Sequence, residues 1–129
     1  MCSYKNNMLQ LAFGVVLCLS QGLSHASGYV DVLDLPAKVS PLAVTSPLSG
    51  MARAGDRLVA VGQRGHILYS DDVGKHWQQA AVPVSADLNA VSFPSATQGW
   101  AVGGDGVILH SDDAGATWRK QLDGRQIGA

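Results

Sequence analysis

The chain contains no glutamate; all ten of its acidic residues are aspartate. Glutamate favours helix interiors, whereas the short aspartate side chain bonds nearby backbone and favours turns. The absence therefore argues against a helical protein. Aromatic residues make up only 6% of the chain. A basic excess is also missing. Nine Lys and Arg against ten Asp leave a net charge of −1, with no basic stripe. That argues against nucleic acid as the main partner. Only two cysteines occur, Cys2 and Cys18. No apolar run reaches the roughly 20 residues that cross a bilayer as a helix.

What is present begins with a leader. Residues 1–26 have the pattern of a secretory signal peptide. Lys5 is the only charge before the apolar stretch Met8–Leu19, and Ser24 and Ala26 place small residues at −3 and −1. Cleavage is expected near Ala26. Leu17 before Cys18 argues against lipoprotein processing. Removing the leader takes both cysteines and Lys5, leaving a cysteine-free chain of net charge −2. The expectation is an exported protein, periplasmic or extracellular, held by its core without disulfides. No transmembrane helix is expected in the mature part.

The rest of the chain is organised by a repeat. Ser70-Asp71-Asp72-Val73-Gly74-Lys75-His76-Trp77 returns as Ser111-Asp112-Asp113-Ala114-Gly115-Ala116-Thr117-Trp118, an offset of 41 residues. Over 59–77 against 100–118, 11 of 19 positions are identical, so the copies are units of one fold. A period of roughly 40–45 residues built from short strands marks propeller blades. Strands are expected at Leu48–Ala54, Arg57–Val61, His66–Tyr69 and His76–Ala81. The second set is Leu88–Phe93, Trp100–Val102, Val107–His110 and Thr117–Leu122. Gly103-Gly104-Asp105-Gly106 is expected to turn with positive φ. Tyr29–Leu33 alternates like one short strand, and Pro36, Pro41 and Pro47 punctuate the stretch after it.

The expected organisation is a signal peptide at 1–26 and a linker or ring-closing strand at 27–47. Blades follow at 48–82 and 83–129. The fold class is all-β: two four-stranded antiparallel blades of an incomplete ring. Two blades leave apolar faces uncovered and cannot close. The chain is therefore expected to belong to a longer product, with a ring built from several chains as the alternative.

The repeated turn has a physical logic. The carboxylates of Asp72 and Asp113 can accept from backbone N–H groups that lack ladder partners, and Ser70 and Ser111 can do so more weakly. Gly74 and Gly115 permit a backbone that a Cβ opposes. Trp77 and Trp118 can bury large rings between blades. Ser111, Asp113, Gly115, Thr117 and Trp118 match the whole Ser-x-Asp-x-Gly-x-Thr-Trp pattern; His76 replaces Thr in the first copy. This pattern resembles the Asp-box, or BNR repeat, of sialidases and other propellers. Its recurrence points to architecture, since a catalytic site needs different residues converging.

The wider order of blocks is Leu88–Phe93, Gly99–Gly103, Gly106–Leu109 and Ser111–Trp118. It resembles the repeat of the photosystem II assembly and stability factor family over about residues 48–122. That resemblance implies a propeller, seven-bladed in full-length members. It also implies a non-enzymatic role in binding a membrane protein or its assembly intermediate. The alternative is a secreted sialidase-like glycoside hydrolase or a glycan-binding propeller. A sialidase needs a Tyr–Glu pair and clustered Arg, and Glu is absent here. Adjacent Asp71-Asp72 and Asp112-Asp113 do not suit two-carboxylate chemistry across one bond. No catalytic set, metal site or cofactor is therefore expected. His66, His76 and His110 lack metal-ligand spacing and are expected on strand faces or the surface. Arg53, Arg57 and Arg64 are candidates for a basic partner-binding patch.

Overall fold

The computed structural model describes residues 30–127, so the leader lies outside the described residues. Eight strands form two four-stranded antiparallel sheets. The first contains β1 (Leu48–Ala54), β2 (Arg57–Gly62), β3 (Ile67–Ser70) and β4 (Gln78–Gln79), in that order. The second contains β5 (Leu88–Ser92), β6 (Gly99–Gly103), β7 (Ile108–Ser111) and β8 (Arg119–Leu122). Each sheet is a meander, as in a propeller blade. The described residues form no closed ring.

The repeat carries through to the register. Ala60 pairs with Leu68 in the first sheet, and Ala101 pairs with Leu109 in the second. Both first strands shift register near their starts, at Leu48/Gly50 and Leu88/Ala90. The β2–β3 and β6–β7 connections are single 3-10 turns, Gln63–Gly65 and Gly104–Gly106. Their central residues, Arg64 and Asp105, have φ of 57° and 59°. Positive φ is thus observed at Asp105 and Gly106, as expected, and Arg64 and Gly65 repeat it in the first turn.

One face of the first sheet packs on one face of the second. Val59, Val61 and Ile67 from the first join Ala101, Leu109 and Trp118 from the second in one core cluster. Val91 and Phe93 pack against it. The connection between the blades fills the seam. Ala80, Val82, Val84, Ala86 and Leu88 are buried, a period-two pattern along extended chain.

Several expected boundaries differ. The fourth strand of the first blade covers only Gln78–Gln79, not His76–Ala81. Ala81 leaves the sheet to form a parallel bridge with Thr117 of the second blade, so the chain crosses between blades earlier. The third strands run one residue later, and β8 starts at Arg119 rather than Thr117. Thr117 is instead held by its turn. The described part of 29–33 is not a strand. Asp31–Leu33 form a turn in which the Asp31 carboxylate accepts the Leu33 N–H at 2.9 Å. An Asx-type bond has overridden an alternating pattern.

The segment after that turn is docked. The Ala37 N–H donates to the Val82 carbonyl at 2.9 Å, and the Ser85 N–H to the Val32 carbonyl at 2.8 Å. Gln79 bonds the Ser40 N–H and the Lys38 carbonyl, both at 2.9 Å. A short helix, α1 (Gly124–Ile127), follows β8. Asp123 accepts the Arg125 N–H, and Gln126 reaches back to the Asp123 N–H at 2.9 Å, a capping box. Among the described residues, no helix is long and apolar enough to cross a membrane.

Candidate functional site

The two Asp-box turns are nearly superposable in their bonding. Ser111 Oγ accepts the Gly115 N–H at 2.9 Å and donates to Asp113 Oδ1 at 2.8 Å. Asp113 then accepts the Thr117 N–H at 2.9 Å and the Thr117 hydroxyl at 2.5 Å. In the first copy Ser70 does the same for Gly74 and Asp72. His76 takes the place of Thr117. Its N–H donates to Asp72 Oδ1 at 2.8 Å, and its Nδ1 lies 2.5 Å from Oδ2. Val73 and Ala114, just before the glycines, also have φ near +60°, so two successive residues per turn are left-handed. Sequence reading assigned that demand to the glycine alone.

The electrostatics follow from these bonds. The His76 N–H, then the His76 ring and Ser70, hold the Asp72 carboxyl down at about 2. Burial works to raise the Asp113 carboxyl, but the Thr117 and Ser111 bonds outweigh it and leave it below the usual carboxylate range. A general acid needs the opposite shift. Both carboxylates are ionised and engaged with their own turn.

The two tryptophans differ. Trp118 is 7% exposed, donates its indole N–H to the Gly115 carbonyl at 2.9 Å and meets Phe93 edge to face at 5.8 Å. Trp77 is only half-buried. Trp118 has a blade beside it. Val59, Val61 and their repeat equivalents show the same asymmetry. Val59 and Val61 are fully buried at the blade seam, while Trp100 and Val102 are 36% and 41% exposed on the outer face of the second blade. There the Trp100 ring lies 4.7 Å from His110, and its N–H bonds Gln121.

The three arginines do not form one patch. Arg57 forms a two-pronged pair with Asp71 at 2.7 and 3.2 Å and lies 4.5 Å over the Tyr69 ring. It also reaches the Asp113 and Ala114 carbonyls at 3.5 Å, so it ties the first blade to the second Asp-box. Arg53 is paired opposite Leu58, which places it on the other face of the sheet from Arg57. Arg64 sits past the far end of β2, on the 3-10 turn, where its backbone N–H bonds Asp87.

Arg64 instead borders a cleft of about 500 Å³. Val32, Leu35, Leu42, Lys38 and His66 line it with Arg64, together with three serines. His66 was expected on a strand face or the surface; it is 6% exposed, and burial, then Arg64, pushes its ring pKa down. A second feature escaped sequence reading. Asp123 is 2% exposed and pairs with Lys120 at 2.9 Å and Arg125 at 2.8 Å. Arg125 also holds Asp34 at 2.9 Å, and Lys120 donates to the Leu33 carbonyl. This network staples the segment at 31–34 to the end of the second blade. The spacing of Asp123 and Gln126 was a readable helix-start signal. Its link to Asp34, 89 positions away from Asp123, was not.

Among the described residues there is no cluster of three or more His, Cys, Asp or Glu side chains able to hold a metal. Residues 35–128 match the family described as photosynthesis system II assembly factor YCF48. The chain belongs to that family. Two solved structures are similar to it. One is YCF48 bound to a D1 peptide, with TM-score 0.54 and 26% identity over 61% of this chain and 28% of that one. The other is YCF48 from Cyanidioschyzon merolae, with TM-score 0.53 and 26% identity over 67% and 26%. The chain thus spans about a quarter of the length of these relatives. No curated protein matches it.

Proposed function

We propose that this chain is a non-catalytic protein-binding unit, engaging a membrane protein or its assembly intermediate as photosystem II assembly factors do. The observation that carries this reading is the use of the motif carboxylates. Asp72 and Asp113 bond their own turns, and neither is poised for acid–base chemistry. Membership of the YCF48 family supports a protein partner, as does the relative solved with a D1 peptide. The leader pattern of residues 1–26 supports action after export, in the periplasm or outside the cell.

The test is direct. The full chain is titrated with a fluorescent D1 peptide and with a scrambled control, and the same preparation is assayed for release of sialic acid and other sugars. Saturable binding of the D1 peptide over the scramble is expected, with no turnover. Robust sugar release would sink the proposal in favour of a glycosidase, and equal binding of both peptides would remove the partner class. Mass determination of the exported product checks the leader, with Ser27 expected at the new N-terminus.

A further inference from the structure

We infer that the cleft beside Arg64 is a binding site for an anionic amphiphile, a carboxylate head on a single aliphatic chain. The inference is independent of the protein-binding role. Three features of the cleft carry it. The first is its lining. Val32, Leu35 and Leu42 provide an apolar wall, and all three are more than a third exposed. About 500 Å³ lies within the range of small-molecule sites.

The second feature is charge. Lys38, Arg64 and His66 line the cleft and no acidic residue does. Arg57, Arg119, Lys120 and Arg125 are each paired with an aspartate. Among the described residues the Lys38 and Arg64 side chains have no such partner. The Asp87 carboxylate is near, but it is bound to the Arg64 backbone N–H. Two unpaired cations beside exposed aliphatic side chains suit a ligand with one anionic end and one apolar end. A polyanion would leave the apolar wall unused, and a neutral lipid would leave the cations unused.

The third feature is His66. The residue lines the cleft and is almost wholly buried, and its sealed Nδ1 has no hydrogen-bond partner. Buried side-chain polar atoms are nearly always satisfied, so an orphan marks a position where a partner is missing. The atom has no surface open to the cleft, so a carboxylate held by Arg64 accepts its N–H only once the ring turns outward.

The experiment is calorimetric titration of the full chain with dodecanoate below its micelle concentration, and with dodecanol as the neutral counterpart. One-to-one dodecanoate binding is expected, with dodecanol weaker by about tenfold or more, the loss of a charge-assisted hydrogen bond. Arg64→Gln with Lys38→Gln should weaken dodecanoate by a similar factor and leave dodecanol unchanged. Leu42→Ser should weaken both ligands; its side chain is 68% exposed, so folding is not at stake. Trp100→Ser, away from the cleft, should change nothing. Equal affinity for acid and alcohol, or indifference to the Arg64 and Lys38 changes, would overturn the inference. So would an acidic peptide binding through the same residues where dodecanoate does not.

Discussion

Gly74 and Gly115 provide a matched pair for separating backbone strain from packing. Their φ values are nearly equal, +86° and +89°. Alanine at either position must adopt a left-handed backbone, which costs about 1–2 kcal/mol. Reduced freedom of the unfolded chain returns about 0.4–1 kcal/mol. The surroundings differ. A Cβ on Gly115 would lie 3.0 Å from Val59 Cγ2 and 3.3 Å from Phe93 Cζ, inside the blade seam. A Cβ on Gly74 would meet only Trp77 Cζ2 at 3.6 Å and Leu58 Cδ1 at 4.0 Å, ordinary contact distances. Overpacking a close-packed interior adds about 1–3 kcal/mol. Gly74→Ala should therefore cost about 0–1.6 kcal/mol, and Gly115→Ala about 1–4.6 kcal/mol. Urea unfolding of the full chain, followed by tryptophan fluorescence and circular dichroism, reads the difference as a shift in midpoint at unchanged slope. Equal losses for the two variants would refute the claim that the second turn is locked by the first blade.

Three further outcomes are expected. Trp118→Ala should cost about 3–5 kcal/mol, whereas Trp77→Ala should cost about 1–2 kcal/mol, both read by urea unfolding. The acid limb of stability should involve Asp72 and Asp34. Both are held at about 2 against an unfolded value of 3.8, so their contribution is present above 3.8 and is lost as pH falls toward 2. Asp72→Asn should flatten that loss in unfolding midpoints measured from about pH 5 to pH 2. Arg125→Ala removes the pairs to Asp34 and Asp123, and hydrogen exchange should speed at the Ala37 and Ser85 amides while Leu109 stays protected.

The Asp-box shows why so much of this fold is legible in sequence. Every partner of Asp113 within its turn lies within four residues, at Ser111 and Thr117. Turn chemistry of that range is written in order along the chain. The same holds for the positive-φ tip at Asp105 and Gly106. The misreadings have separate origins, one local and the others set by strand pairing. Tyr29–Leu33 alternates like a strand, but Asp31 satisfies the backbone locally and the segment docks through its own amides and carbonyls. The fourth strand of the first blade ends early because Ala81 finds Thr117, 36 positions later, as a partner. Arg53 and Arg57 are near in sequence yet face opposite sides of one sheet.

The sequence by itself determined the repeat, the turns, the all-β class and the family. Each depends on short-range bonding or on one pattern written twice. Tertiary structure alone decided which copy of each repeated residue is buried. Val59 and Trp100 hold equivalent places, as do Trp77 and Trp118, and their exposures diverge because only one blade seam exists between the two sheets. It also decided that Arg57 is spent on a blade contact while Arg64 and Lys38 are left beside an apolar cleft with His66. Burial and pairing depend on what the rest of the chain brings near, and no local pattern encodes that.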